Sequence, residues 1–497
     1  MCKRFSTAFI LSISFLFFTT NTSANFDFNQ NCVRAYQSIF QLKLNTARQL
    51  IAAEKKARPN NSIIPFLENY VDCYYLLTNE SKSEFERLEA NKSARLAQIS
   101  ADDKSSPYYL YTQAQINLQW ALIRGRYGSY FTAAREINKA NSQLTENSRK
   151  HPGFHPNSMG LGLINVVIGV LPDGILKSTL STFGLKGNLQ NGLNMLDRLA
   201  ENLPKTTYEP FYEETIFNYA YVLSDVAKSS QAYAKTMKYT ARIADSSLLK
   251  TYLRAYVCSR NGHTDEAIQI LANRPTGASY QPFPYLDYLM GISKLNKMDL
   301  TAESSFEKFL QTNKGNNYIK DTYLHLGWIE LFKGNEQGYS SYIAKAKSNG
   351  YTYHDRDKQA VNEANAPMPN KELLKARLYF DGGYFTKALE LLNASNEEDF
   401  SSLKDKTEYY YRLGRVNEGL GKDDLALANF QNAINTGKNL KYYYAAKSAV
   451  EMGKIYTQNK NITKAKASFN TALSMKGHDQ VNSIENEAKQ GLKRVGG

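Results

Sequence analysis

LGRVNEGLGKDDLALANFQNA occupies residues 413–433, and MGKIYTQNKNITKAKASFNTA occupies residues 452–472. In both stretches a glycine is followed after 12 residues by an alanine, after 4 more by a phenylalanine, and after 3 more by a second alanine. The two copies lie 39 residues apart. Steps of 3 and 4 place the alanines and the phenylalanine on one face of a helix. The repetition therefore predicts pairs of α-helices that stack along the chain.

This pattern resembles the tetratricopeptide repeat, whose basic period is about 34 residues. The resemblance places Leu413 and Gly414 in the first helix of a pair and Phe430 in the second. Small residues let the two helices approach, and each pair keeps an apolar face that only the next pair can cover. Weaker copies upstream centre on Ala267, Ala302, Ala346 and Ala388.

The rest of the chain is also predicted to be helical, because no stretch sustains a polar-apolar alternation of period two. The predicted fold class is all-α: a helical-repeat solenoid of tetratricopeptide type with an inserted apolar helical hairpin. We predict five segments: a signal peptide (1–24), N-terminal helical pairs (25–150), a Gly-rich apolar hairpin segment (151–200), degenerate repeats (201–360) and C-terminal repeats (361–497).

The first residues have the three parts of a secretory signal. Lys3 and Arg4 are basic, residues 5–18 are apolar apart from small hydroxyl residues, and residues 22–24 are small or hydroxylated. The apolar run is shorter than the roughly 20 residues that a membrane-spanning helix needs. Cleavage after Ala24 is therefore expected. The mature protein would be exported to the periplasm, the outer membrane or the exterior, with no transmembrane span.

The charge of the chain is basic. The formal value is +14, and loss of residues 1–24 would leave +12. The lysines and arginines are dispersed and form no tract of the kind that binds nucleic acid. A dispersed basic surface is compatible with acidic envelope polymers or an anionic membrane, so an association with the envelope is a further expectation.

The chain has few residues in arrangements typical of catalytic or metal-binding sites. No HExxH, GxSxG or phosphate-binding loop is present, and the chain has six histidines. His151 and His155 form a close pair, but the intervening proline and glycine favour a turn over a helical metal site. A non-catalytic protein without cofactor or metal is predicted. Cys32 and Cys73 either form a disulfide between neighbouring helices or are buried free thiols.

Residues 159–183 interrupt the repeats with two apolar stretches, 159–170 and 175–183, around a Pro-Asp-Gly turn. One interpretation is a plug that completes the core between two helical arrays. The other is a site for a lipid-like or small apolar ligand, whose close approach the glycines would permit. The lining residues expected for that site are Leu163, Val167, Leu171 and Leu180.

The same segment resembles the central motif of the tetratricopeptide-repeat 39 and yeast inclusion-body clearance family. The resemblance is carried by residues 160–165, 169–172, 183–188 and 192–193. It implies a helical-repeat interaction protein and no catalytic residues. The secretory signal departs from the cytosolic eukaryotic members. The abundance of Asn, Lys and Tyr is similar to that of exported proteins from Bacteroidetes-type bacteria.

In tetratricopeptide repeats the first helix of each pair faces a concave groove. By this resemblance the residues predicted to face the groove are Arg377, Tyr411, Arg415, Lys447 and Lys454. A basic and aromatic groove would suit an acidic or extended peptide. The predicted function is therefore a scaffold of the cell envelope that binds a protein or peptide partner.

Overall fold

A computed structural model describes residues 26–171 and 174–496. The predicted signal peptide, residues 1–24, lies outside the described residues. Within the two described ranges the regular structure consists of 26 α-helices and a few shorter helical turns, and no strand is present. The predicted all-α class is therefore confirmed.

The first twelve helices form the N-terminal half. Seven precede the apolar segment: α1 (Gln30–Phe40), α2 (Leu44–Ala57), α3 (Ile63–Asn79), α4 (Lys82–Leu88), α5 (Asn91–Ser100), α6 (Pro107–Arg126) and α7 (Tyr130–Lys150). The apolar segment contains α8 (Asn157–Val170) and α9 (Ile175–Thr182). It is followed by α10 (Leu189–Asn202), α11 (Tyr212–Tyr221) and α12 (Ala232–Thr240). A π-helical turn, Val222–Val226, extends α11.

The C-terminal half contains fourteen helices. They are α13 (Leu248–Arg260), α14 (Thr264–Ala272), α15 (Tyr285–Asn296), α16 (Ala302–Thr312), α17 (Ile319–Lys333), α18 (Glu336–Ser348), α19 (Asp355–Asn365), α20 (Lys371–Asp381), α21 (Phe385–Asn393), α22 (Leu403–Gly419), α23 (Asp423–Gly437), α24 (Tyr444–Gln458), α25 (Ile462–Ser474) and α26 (Val481–Arg494). Six consecutive pairs pack together: α13–α14, α15–α16, α17–α18, α20–α21, α22–α23 and α24–α25. Helix α19 stands outside this pairing and packs on α17 and α18.

Glycines in the first helix of a pair let the aromatic ring of the second helix approach the backbone. A Cβ at Gly453 would lie 2.5 Å from the ring of Phe469, and one at Gly291 would lie 2.6 Å from the ring of Phe306. Gly414 makes the same contact with Phe430. The step of 15 or 16 residues from glycine to phenylalanine in the sequence is therefore a packing requirement of the helix pair.

Aromatic side chains fill the core of the N-terminal half. Tyr36 on α1 packs against Tyr70 on α3 and against Phe211 just before α11. Glu214 is buried among them and accepts hydrogen bonds from the hydroxyls of Tyr36 and Tyr70. Burial raises the pKa of Glu214 to about 7. This apolar cluster continues as far as Met290, across the predicted segment boundaries at residues 150 and 200.

The apolar segment forms a helix pair, but with a partner other than the one predicted. Helix α8 packs against α10, while α9 lies against α7. A Cβ at Gly192 of α10 would lie 2.6 Å from the carbonyl oxygen of Gly162 and 2.8 Å from the amide nitrogen of Val166. Leu196 of α10 is buried against α8, whereas in α9 only Leu180 is buried. The glycines therefore allow the backbones of α8 and α10 to come into contact. Helix α10 also provides the apolar face that packs on α8, which α9 lacks.

No single helix of the described residues is long and apolar enough to cross a bilayer. Helices α8 and α9 reach the required length and composition only when taken together, as a pair bent by 119°.

Two long-range contacts join turns that are far apart in the sequence. In the first, the backbone amide of Asn316 donates to the carbonyl of Glu80 at 3.2 Å, and the amide of Lys82 donates to the Asn316 side chain at 2.8 Å. In the second, a Cβ at Gly383 would lie 2.6 Å from the Cα of Gly262. The α13–α14 turn therefore lies directly against the α20–α21 turn.

The three cysteines are packed in the core, and the histidine pair lies in a turn. Cys32, Cys73 and Cys258 are free and buried, so Cys32 and Cys73 are not joined. Burial raises the pKa of the Cys32 thiol to about 12, which keeps it protonated at neutral pH. His151 and His155 lie in the turn between α7 and α8, and the ring of His155 packs edge-on against Tyr208.

Candidate functional site

A cavity of about 390 Å³ lies where α13, α15, α17, α19, α20 and α22 converge, beside the contact between Gly262 and Gly383. We call it the joint cavity. Its basic lining residues are Arg260, Arg356, Arg377 and Arg415. Its acidic lining residues are Asp321, Glu363 and Asp381, and its aromatic ones are Trp328, Phe380 and Phe385. The site thus combines charged groups with broad apolar walls.

Arg377, predicted to face the groove, lines the joint cavity. Its guanidinium donates two hydrogen bonds to the carboxylate of Glu363, at 2.9 and 3.1 Å. It also lies over the ring of Trp328, 5.2 Å from the centroid. Burial opposes the charge, but Glu363 outweighs it and raises the pKa of Arg377. Arg377 is therefore a fixed, neutralised part of the wall.

Arg415 lines the same cavity and is also ion-paired. Its guanidinium lies 3.0 Å from a carboxylate oxygen of Glu418 and 3.3 Å from one of Glu451. Its planar face covers the ring of Phe380, 4.8 Å from the centroid. Arg415 thus joins the aromatic wall of the cavity to an acidic cluster behind it.

Lys447 and Lys454, the other predicted basic residues, meet at that acidic cluster. Each ammonium lies 3.1 Å from the carboxylate of Glu451, and they lie 2.7 and 3.0 Å respectively from Glu487. Glu451 is 2 % exposed, and it holds Arg415 as well as the two lysines. The cluster is nearly charge-balanced, so this part of the inner face is less basic than the sequence suggested.

Tyr411 lies in the core, contrary to the prediction that it faces the groove. It is 5 % exposed, and its ring packs against Phe430, Tyr443 and Tyr444. Helix α22 turns Tyr411 toward α23 and α24, where burial of an aromatic ring is more favourable than exposure. Tyr411 therefore supports the wall from behind and offers no surface to a partner.

The joint cavity also holds a polar group that the sequence analysis did not predict. The Nδ1 atom of His325 lies 3.2 Å from a carboxylate oxygen of Asp321, and the hydroxyl of Tyr288 donates to Asp321 at 2.5 Å. Burial opposes ionisation of Asp321, but His325 and Arg356 outweigh it and lower the pKa to about 2. The spacing of four residues between Asp321 and His325 was the one signal in the sequence that pointed to this pair.

A second cavity, of about 770 Å³, lies between the end of α8 and the C-terminal helices. Of the four residues predicted for an apolar site, Val167 and Leu171 line it. Leu163 packs against the main core, and Leu180 is 0 % exposed within that core. The opposite wall is polar and includes Lys454, Glu487 and Arg494. We call this the hairpin cavity.

Comparison with protein families agrees with the repeat pattern. The tetratricopeptide repeat family matches residues 438–479, which contain α24 and α25. Among solved structures, 81 chains match. They include the crystal structure of yeast Tom70, at 10% identity over 93% of each chain with a TM-score of 0.26. They also include the APC/C hetero-tetramer Cut9–Hcn1, at 12% identity over 94% of this chain and 96% of that one with a TM-score of 0.23. No curated protein matches.

The chain is thus an all-α solenoid of tetratricopeptide type, on the combined basis of the matched repeat and the six helix pairs.

Proposed function

We propose that the protein is a non-catalytic scaffold that binds an extended protein segment along the inner face of the solenoid. Tetratricopeptide solenoids expose long concave surfaces suited to protein partners. We further propose that it acts in the cell envelope after export. The basic, apolar and small-residue parts of residues 1–24 support that location.

The joint cavity is the observation that carries this proposal. Four arginines and three aromatic side chains line one cavity of about 390 Å³. Arginine and aromatic residues are the types most often found at the energetic centres of protein interfaces, because they combine large contact areas with directed hydrogen bonds. A segment with an apolar side chain and an acidic group a few residues away would match this lining.

Site-specific crosslinking provides the test. A photo-crosslinking amino acid at Phe385, in the joint cavity, is expected to capture one partner from the envelope fraction. The double variant Arg377→Ala, Arg415→Ala should reduce that capture at least tenfold, since it removes two cavity walls that position the partner. The measurement is the yield of crosslinked product by mass spectrometry.

The matched control places the same crosslinker at Leu425, which is 53% exposed on α23. Capture of the same protein with equal yield from Leu425, or unchanged capture by a folded double variant, would contradict binding at the inner face. Circular dichroism identifies variants that have lost their helices.

We propose binding of a lipid-like or small apolar ligand in the hairpin cavity as a second candidate function. Its support is the apolar wall formed by Val167, Val170, Leu171 and Leu189, opposite the basic Lys454. An amphipathic ligand would place its chain on that wall and an acidic head near the lysine.

Fluorescence of N-phenylnaphthylamine tests this second candidate. The dye should brighten with the wild-type protein and be displaced by palmitate. Val167→Asp should abolish the enhancement by placing a charge on the apolar wall. Leu425→Asp, at a site that is already exposed, is the control. Equal dye binding by both variants would exclude the hairpin cavity as the site.

A further inference from the structure

Large apolar side chains remain exposed at the start of α7 and at both ends of α9. Phe131, in the first turn of α7, is 58% exposed, and Tyr130 beside it is also exposed. Ile175, the first residue of α9, is 66% exposed, and Phe183, which directly follows α9, is exposed as well. We call these four residues the α7–α9 patch.

The path of the chain brings the two parts of the patch together. A short turn joins α7 to α8, so the two helices run antiparallel where they pack. A Cβ at Gly160, early in α8, would lie 2.6 Å from the side chain of Leu144, in the second half of α7. The end of α8 at Val170 therefore lies beside the first turns of α7, and α9, which begins at Ile175, packs on α7. Several exposed apolar residues at one place, unlike single ones, indicate an interaction surface.

Helix α9 is attached to the protein by one side only. Leu180 is its one buried residue and belongs to the main core, while the ends of the helix remain exposed. Helix α8, by contrast, is held between α7 and α10. The eight residues of α9 span about 12 Å, whereas the apolar core of a bilayer is about 30 Å thick. Helix α9 is therefore suited to lie on a bilayer and is too short to cross one.

The surroundings of the patch are basic. Arg135 and Lys139 follow Phe131 at intervals of four residues, which places all three on the exposed side of α7. Glu136, the acid between the two cations, is buried and ion-paired inside the protein. Residues 147–196, which include α8 and α9, contain four lysines and arginines and a single acid. A surface of this charge complements anionic lipid head groups.

We propose that the α7–α9 patch is a membrane-contact surface that lies in the head-group region of an anionic bilayer. Its apolar side chains enter the boundary between head groups and acyl chains, and Arg135 and Lys139 contact the lipid phosphates. Helices that lie in a membrane surface combine these two kinds of contact, and aromatic residues favour the same depth. The patch is separate from the joint cavity, so this proposal goes beyond the scaffold function and does not depend on it.

Cosedimentation with lipid vesicles tests the proposal. The protein used is residues 25–497, which include every described residue, because the apolar residues 5–18 would bind lipid by themselves. Vesicles of phosphatidylcholine with about 30% phosphatidylglycerol should bind at least tenfold more tightly than vesicles of phosphatidylcholine alone. Salt at about 0.5 M should remove most of that preference, because it screens the exposed charges.

The double variant Phe131→Ser, Ile175→Ser should weaken binding to the anionic vesicles at least tenfold, because two apolar side chains no longer enter the bilayer. The matched control is Leu403→Ser, Leu425→Ser, which removes two apolar side chains of similar exposure from α22 and α23. Its binding should stay within twofold of wild type. All four positions are exposed, so both variants should keep the circular dichroism and thermal midpoint of wild type.

An environment-sensitive dye reports whether the patch enters the bilayer. The native cysteines of residues 25–497 are buried, so nitrobenzoxadiazole can be attached selectively to the variant Ile175→Cys. Its emission should shift to the blue when anionic vesicles are added, whereas the dye on Leu425→Cys should not respond. The double variant Arg135→Gln, Lys139→Gln should weaken binding to the anionic vesicles at least threefold and leave binding to phosphatidylcholine alone unchanged.

The proposal would be overturned if wild type did not bind anionic vesicles, or if the serine variant of the patch bound as well as its control. Tight binding with no change of the dye at Ile175→Cys would also overturn it, since the basic protein would then adsorb through another surface. A dimer in light scattering that the serine variant of the patch loses, without any vesicle binding, would assign the patch to a second copy of the chain. Crosslinking from Phe385 uses no lipid, so the scaffold function and this proposal can fail separately.

Discussion

Replacement of Gly192 by alanine should lower the free energy of unfolding by about 3 kcal/mol, although alanine favours helices. The added methyl carbon would lie 2.6 Å from the carbonyl oxygen of Gly162, 2.6 Å from a methyl of Val166 and 2.8 Å from its amide nitrogen. Two of these three atoms belong to the backbone of α8, so no side-chain rotation relieves the clash. Helices α8 and α10 would have to separate.

Urea denaturation followed by circular dichroism measures this loss. Gly125→Ala is the matched control, because Gly125 lies inside α6 and a Cβ there would meet no atom within 4 Å. That control should gain up to about 1 kcal/mol from helix propensity. A Gly192→Ala protein as stable as Gly125→Ala would show that the backbones of α8 and α10 are farther apart than described.

Replacement of Glu451 by glutamine should also cost about 3 kcal/mol, because it removes the buried negative charge that three partly buried cations share. Glu451 is 2 % exposed, and its carboxylate lies within 3.3 Å of Arg415 and 3.1 Å of both Lys447 and Lys454. Burial opposes ionisation, but these three cations outweigh it and hold the pKa of Glu451 far below its ordinary value of 4.5. Glutamine keeps the shape of the side chain and removes the charge.

The stabilisation by Glu451 should depend on pH in a direction that follows from its lowered pKa. Because the folded state lowers the pKa, the stabilisation by Glu451 is fully present above about pH 4.5 and is lost as the pH falls toward the folded-state value. The difference in urea stability between wild type and Glu451→Gln should therefore be largest at pH 6–7 and shrink by pH 3. Glu398→Gln, in an exposed 3-10 turn, is the control and should show no such difference. A constant difference across this range would mean that the charge of Glu451 does not stabilise the fold.

The helix pairs could be predicted because their signature is local. The step from Gly453 to Phe469 reflects a contact within one pair, so it repeats wherever a pair repeats. The segment around Gly192 was predicted to be apolar and helical, but the partner of α8 was not. Glycines permit a close approach but do not determine which helix approaches. The observed partner, α10, is the helix after α9, the predicted one.

The charge balance of the inner face could not be predicted from one helix at a time. Arg415 and Lys447 were predicted as basic residues that face the groove. Each pairs with an acid on its own helix, Glu418 and Glu451 respectively. Each also meets an acid distant in sequence, with Glu451 36 residues from Arg415 and Glu487 40 residues from Lys447. Arg356, which also lines the joint cavity, was not among the predicted site residues. Its position in the cavity depends on the packing of α19 against α17 and α18, which the sequence of α19 alone does not determine.

The two long-range turn contacts change how the solenoid should respond to stress. A solenoid in which each repeat meets only its neighbours behaves like a spring and can unravel one repeat at a time. Here the contact of Asn316 with Glu80 and that of Gly262 with Gly383 link helix pairs that are not neighbours in the sequence. Such contacts make the linked pairs unfold together. The helices from α1 to the α20–α21 turn would then melt as one cooperative block, leaving only the C-terminal pairs free to fray on their own.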